Sequence, residues 1–142
     1  MECIAYYDTI LPESASVLEG LLRYQLWPVQ FWPYNLLTIG DIVYLYESQS
    51  NAIRWKARVR MVEKFTYQNK GQARDHLVRL GGFDTRDPRF ISSPEMGFCL
   101  AYRLKVLQKL DLGKPLEITF PRFGWLRLYE ETVNSWLMPT AV

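Results

Sequence analysis

Gly40-Asp41-Ile42-Val43-Tyr44-Leu45-Tyr46-Glu47-Ser48-Gln49-Ser50-Asn51-Ala52-Ile53-Arg54-Trp55-Lys56-Ala57-Arg58-Val59-Arg60-Met61 carries two strand signals joined by a turn. Gly40-Asp41 opens an apolar run over 42–47, and Gln49-Ser50-Asn51 supplies the polar residues that reverse a chain. In the second run Ile53, Trp55, Ala57, Val59 and Met61 alternate with Arg54, Lys56, Arg58 and Arg60. Successive strand side chains point to opposite faces, so this reads as a half-buried strand with a ladder of four cations on its far side. Two explanations fit such a ladder. Something anionic, such as a phosphate backbone, lies across it, or acids on neighbouring strands balance it.

Outward from this hairpin the signals are of both kinds. Residues 3–7 read as an opening strand ending near Asp8. Pro12 suits a first helical turn, Ser16-x-x-Glu19 matches a capping box, and Val17, Leu18, Leu21, Leu22 and Gln25 recur at helical spacing. An amphipathic helix is predicted to about Leu26. Trp27-Pro28 and Trp32-Pro33 then mark an aromatic-rich loop, because proline disfavours regular helix and strand alike. Past the cationic strand, which continues or bends through Phe65 to Tyr67, the pattern predicts a short helix over 70–80 and a long connection over 81–97. A third long strand over 98–106 follows, then a short strand over 115–120. The spacing Trp125, Leu128, Tyr129, Thr132, Trp136 predicts a C-terminal helix packed on the sheet.

With 142 residues, 49% of them hydrophobic, the chain can bury a substantial core, and no internal repeat divides it. A single domain over 1–142 is expected, of α+β class: a small curved β-barrel of mostly antiparallel strands with flanking helices. The net charge is only +2, yet residues 54–79 carry eight Lys or Arg against two acids, a local +6 that leaves the remainder at −4. Any case for an anionic partner therefore rests on distribution. Cys3 and Cys99 show no metal-ligand spacing and read as small buried hydrophobes of a reduced protein. The start carries no basic-then-apolar leader and no run approaches eighteen uncharged apolar residues, so a cytoplasmic protein off the membrane is expected.

His76 is the sole histidine, so neither a His-metal nuclease nor a zinc deaminase site can be assembled. No acid begins an Asp/Glu-x-Lys step, and Gly81-Gly82 is a turn signal rather than a phosphate loop. The expectation is a binding protein without catalysis, metal or cofactor, whose nuclease partner, if it has one, is fused or separately encoded.

Phe31-Trp32-Pro33-Tyr34-Asn35, then residues 39–48 and 52–59, resemble the EVE family of the PUA-like superfamily, which shows a Trp, an Asn, a Gly-Asp turn and an apolar strand ending in Tyr-x-Ser. The strand over 98–106, Leu107-x-x-Leu110 and Pro115-Leu116 are similar in order, so the resemblance covers roughly 27–120. This chain departs from the family in its opening strand, which has Tyr6 and Tyr7 where a Trp is usual, and in the Gln-Ser-Asn hairpin tip. The resemblance implies a PUA-like barrel that recognises a modified base in double-stranded DNA, 5-methylcytosine or 5-hydroxymethylcytosine, flipped into an aromatic pocket.

A base taken out of its stack needs flat aromatic faces and a few polar groups at its edge. Trp32, Trp27 and Tyr46, or Tyr44, are the candidate walls, and Asn35 and Ser48 the candidate edge readers. Arg54, Lys56, Arg58, Arg60 and Lys64 would hold the backbone. Each has a plainer role as core or turn residue, and Trp55, Trp125 and Trp136 read as core. The alternatives are an RNA-binding PUA-like or ASCH-like module, sharing barrel and basic face, and a protein-interaction domain whose aromatics fill the core.

Overall fold

The computed structural model of the chain describes residues 1–128 and 131–137. In chain order its elements are β1 (Glu2–Tyr7), α1 (Ala15–Gly20), β2 (Arg23–Trp27), β3 (Ile42–Glu47), β4 (Ala52–Tyr67), α2 (Lys70–Leu80), α3 (Pro88–Ile91), β5 (Gly97–Gly113), β6 (Trp125–Arg127) and α4 (Glu131–Leu137). The strands form one sheet in the order β2-β5-β4-β3-β1-β6, curled into a half-barrel. Every neighbouring pair is antiparallel except β1 and β3, which run parallel with Cys3 beside Val43 and Ala5 beside Leu45.

Strand alternation divides the apolar residues between two faces. The concave face collects Cys3, Ala5 and Tyr7 of β1 with Val43, Leu45, Trp55, Ala57, Tyr102 and Trp125 in the main core. One end of the convex face, with Ile4, Tyr44, Tyr46 and Ile53, is covered by Ile118 and by Val133 and Trp136 of α4. The other end, with Tyr67, Cys99 and Ala101, is covered by Ala73 and Leu77 of α2 and Phe90 of α3. Among the described residues no helix is long and apolar enough to cross a membrane.

The hairpin is where the sequence puts it, turning at 48–51 with Asn51 in the left-handed region. The helix over 70–80 is also there, with the Asn69 side chain accepting from the Gln72 N–H as its cap. Four expectations need correction. Strict alternation over 53–61 is broken because the β4–β5 ladder slips at three places, between Ile53 and Trp55, between Lys56 and Ala57 and between Val59 and Met61. A bulge moves the following side chain to the other face, so Ile53 joins the convex cluster, Met61 packs towards α2, and only Trp55, Ala57 and Val59 share the concave core.

Second, α1 stops at Gly20, with Leu21 already extended, and residues 23–27 form β2 instead of a continuing helix. Leu22, Tyr24 and Leu26 pack outward in the convex cluster while Trp27 packs inward, which is a two-residue period that Leu21, Leu22 and Gln25 had matched to a helical one. Third, residues 115–120 form a turn, with the Ile118 N–H donating to the Pro115 carbonyl at 3.2 Å, not a strand. Fourth, Trp125 opens β6, paired with Ala5 across β1, and the helix begins only at Glu131. Trp136 does pack on the sheet, donating from Nε1 to the Leu112 carbonyl at 3.0 Å. Tyr129, part of the predicted spacing, lies outside the described residues.

Candidate functional site

The ends of the sheet, β2 and β6, are unpaired edges, and Gln25 ties them together. Its Nε2 donates to the Phe123 carbonyl at 3.3 Å and its Oε1 accepts from Trp125 Nε1. Around this tie lies a cleft of about 390 Å³ walled by Tyr6 of β1 and Asp8 just beyond it, Tyr24, Gln25 and Trp27 of β2, Arg89 of α3 with Ser92 and Ser93 beyond it, and Arg122. That volume is in the usual range of small-molecule pockets. Beneath it, behind Tyr6, Tyr24, Gln25 and Arg89, a largely enclosed annex of about 40 Å³ reaches Tyr7, Arg23 and Tyr102.

The cleft walls are set by specific packing. Gly97 adopts φ +153°, and a Cβ there would lie 2.1 Å from the Trp27 carbonyl oxygen, so only glycine lets β5 start this close to the end of β2. The Tyr6 N–H donates to the Gly124 carbonyl at 2.8 Å, which holds the 122–124 turn against β1. Tyr6 itself is 38% exposed, its ring centred 5.5 Å from that of Tyr46 and 5.3 Å from that of Phe120. Tyr24 donates its hydroxyl to Asp87 Oδ2 at 2.6 Å, and Arg89 lies 3.4 Å from Asp87 and 3.9 Å from Asp8. Burial and the charge of Asp87 push the Tyr24 hydroxyl upward in pKa. Burial also favours the protonated Asp87, but the Tyr24 hydroxyl and the Arg89 N–H groups outweigh it and hold that carboxyl below its ordinary value.

Arg23 is the exceptional member. It is 8% exposed, its guanidinium lies 4.7 Å from the centre of the Tyr7 ring, and its buried Nε has no hydrogen-bond partner among the described residues. Nor does any described carboxylate pair with it, Asp8 and Asp87 both being turned to Arg89. Tyr7 and Tyr102 share a hydrogen bond through their hydroxyls, so neither oxygen is turned wholly to Arg23.

The residues predicted for a base cage do not converge. Trp27 lines the cleft, buried and edge-on to Phe31. Trp32 lies half-buried in a different hollow of about 380 Å³ with Met1, Glu2 and Arg127, whose guanidinium sits 4.5 Å from the ring centre. That hollow is at the Glu2 end of β1 and the cleft at the Tyr6 end, about 13 Å apart at a strand's rise per residue. Tyr46 is buried, stacked on Phe120 at 4.7 Å, and donates its hydroxyl to Asn51 Oδ1 at 2.6 Å. It borders a third hollow of about 440 Å³ that meets the cleft at Tyr6 and Arg122. Asn35 is exposed, and Ser48 is half-buried with its N–H donating to the Tyr7 carbonyl at 2.9 Å. A flipped base needs its walls in one pocket, but Trp27, Trp32 and Tyr46 border three different hollows and neither Asn35 nor Ser48 lines any of them.

The cationic strand divides in a similar way. Arg54 sits between Glu13 at 4.0 Å and Asp111 at 3.8 Å, and Arg60 donates to the carbonyls of Leu104 at 3.2 Å and Glu19 at 2.7 Å. Lys56 lies 5.7 Å from the centre of the Tyr44 ring. Lys64 is half-buried, and burial lowers the pKa of its ammonium. Arg58 stays exposed, opposite the exposed Lys105. Sequence reasoning missed Tyr6, Arg23, Gln25, Arg89 and Arg122. A signal for two of them existed, since Arg23 and Gln25 alternate with Leu22, Tyr24 and Leu26, polar residues on the inward face of a strand.

No protein-family model matches the chain, and no curated protein sequence is similar to it. Solved structures are similar in fold. The ASCH protein of Zymomonas mobilis superposes with a TM-score of 0.59 at 11% identity, covering 96% of this chain and 92% of that one. A Tyr-to-Phe mutant of the same protein gives 0.59 at 10% identity, with 94% of both chains covered, and a Ser-to-Ala mutant gives 0.58 at 11%, with 94% and 92% covered. The fold is therefore of the PUA-like α+β type, in the form seen in ASCH.

Proposed function

We propose that this chain is an RNA-binding module that takes a nucleotide into the cleft between β1 and β2, without chemistry of its own. The observation that carries this reading is the lining of that cleft, where Tyr6, Tyr24 and Trp27 provide aromatic surface and Arg89 and Arg122 provide charge within one space of about 390 Å³. Single-stranded RNA is commonly bound by stacking its splayed bases on aromatic side chains while cations take the phosphates. Likeness to ASCH favours the RNA-binding alternative over a reader of modified DNA, and the dispersal of Trp32, Tyr46, Asn35 and Ser48 weakens the base-cage reading further. The narrower EVE relationship, with methylcytosine recognition and a nuclease partner, rests on the sequence resemblance over roughly 27–120 alone.

The test is a salt-dependent titration of one short single-stranded RNA against duplex DNA carrying cytosine, methylcytosine or hydroxymethylcytosine. RNA should bind tightest, with log K falling against log salt by about 0.7 for each phosphate contacted. Tighter binding of a modified duplex, or binding indifferent to salt, contradicts the proposal. Incubation of the RNA with magnesium, manganese or zinc should leave it intact, and cleavage that copurifies with the chain contradicts the non-catalytic part.

A further inference from the structure

The annex beneath the cleft holds a problem that the RNA-binding reading does not by itself resolve. A buried guanidinium keeps its charge, and a buried charge is expensive unless hydrogen bonds and a counter-charge surround it. Among the described residues Arg23 has neither: its Nε is buried without a partner, and its guanidinium lies over the ring of Tyr7. Asp8 and Asp87 pair with Arg89, which also borders the annex, and neither acid lines it. Within the annex the unbalanced charge is thus that of Arg23.

The annex also has a size. Its volume of about 40 Å³ corresponds to roughly three water positions, at about 10–15 Å³ each. Three is the number of terminal oxygens on a phosphate monoester, whereas a phosphodiester within a strand presents two and needs a way in and a way out. The annex is largely closed and borders the cleft through Tyr6, Tyr24, Gln25 and Arg89. A chain end fits it; a continuing chain does not.

We propose that the annex is a phosphate-monoester site, in which Arg23, helped by Arg89, holds the terminal phosphate of a nucleotide whose base lies in the cleft. This rests on the RNA-binding reading and sharpens it, naming the ligand as an end-phosphorylated strand or a free mononucleotide rather than the interior of an RNA. Arg23 donates from Nε and its terminal nitrogens, the planar fork that suits a phosphate, and the exposed Arg122 is left for the next phosphate outward.

The experiment compares, on the intact chain, one RNA tetramer with hydroxyl ends, with a 5′-phosphate and with a 3′-phosphate, alongside a nucleoside, its 5′- and 3′-monophosphates and inorganic phosphate. One phosphorylated tetramer should bind about tenfold or more tighter than the hydroxyl form, as expected when a charge-assisted contact is added in a buried place. The monophosphates with their nucleoside show whether a free nucleotide suffices. In Arg23→Met that preference should vanish while the melting temperature holds or rises, because an apolar side chain replaces an unpaired buried charge. In the wild type, millimolar phosphate should raise the melting temperature, a measurement that stands even if Arg23→Met does not fold. Equal binding of hydroxyl and phosphate ends overturns the annex site and leaves the RNA-binding reading standing. Arg23-dependent phosphate binding without RNA binding supports the annex and overturns the RNA-binding reading.

Discussion

The convex face of β4 and the floor of the cleft both carry arginines, and they use them differently. On β4, Arg54 is balanced by Glu13 and Asp111, and Arg60 is taken up by two backbone carbonyls. In the cleft, Arg89 is shared between Asp8 and Asp87 while Arg23 beneath it is buried with no counter-charge among the described residues. Two members of the visible row of cations are thus engaged by their own protein, and among the described residues the hidden one is not. The contrast teaches where to look for a ligand, at unsatisfied charge before abundant charge.

The largest effect expected from this contrast concerns the seat of the cleft wall. Gly97→Ala puts a Cβ 2.1 Å from the Trp27 carbonyl in the present backbone, so β2 must shift or β5 must strain, and stability should fall by about 3 kcal/mol or more. Chemical denaturation measures it. An unchanged midpoint means that β2 is not held where the cleft requires it. Next, Tyr6→Ala and Arg122→Gln, both at exposed side chains of the cleft, should each weaken RNA binding by about 1–2 kcal/mol with little change in stability. Arg54→Gln should do the reverse, leaving RNA binding alone and lowering stability by less than about 1 kcal/mol, as partly exposed ion pairs do. Calorimetric titration and thermal unfolding of the three variants compare the two regions directly.

A third expectation is set by acid. Because Asp87 is held below its ordinary pKa in the folded state, its contribution is fully present above the unfolded value of about 3.9 and is lost as pH falls through the lower folded one. The Tyr24–Asp87–Arg89 contact should therefore weaken below about pH 4, and Asp87→Asn should remove that part of the acid dependence. An acid limb identical in the two proteins contradicts it. The smallest effect is left to Arg58, exposed in the middle of the ladder, where Arg58→Gln should reduce the salt slope of RNA binding by less than about one unit. A loss larger than that of Arg122→Gln would return the ladder to the centre of the account.

How far the sequence could lead depended on whether the signals were local. The hairpin, α2 and the core of β5 were legible because the patterns that mark them, alternation and a turn among them, each lie within a few residues. β2 was not, since Leu21, Leu22 and Gln25 fit a helix while Leu22, Tyr24 and Leu26 fit a strand, and pairing with β5, over seventy residues away, decided it. β6 is three residues long and exists only through β1. The bulges that carry Ile53 and Met61 to the other face have no mark in the alternating pattern itself. Of the candidate site, aromatic and cationic character was legible, but its place was not. The acids that quiet Arg54 come from residues 13 and 111, and that no described acid pairs with Arg23 is a fact of three dimensions.

The most direct measurement is a nitrogen–proton correlation spectrum of the chain titrated with a short single-stranded RNA, read at indole and backbone signals of both regions. The account predicts that the Trp125 indole signal, bonded to Gln25 at the cleft, and the backbone signals of Tyr6, Arg23 and Gly124 shift together. The Trp136 indole beneath α4 and the backbone of Arg58 should stay in place. Shifts centred on Arg58 and Lys105 with the cleft silent would contradict it.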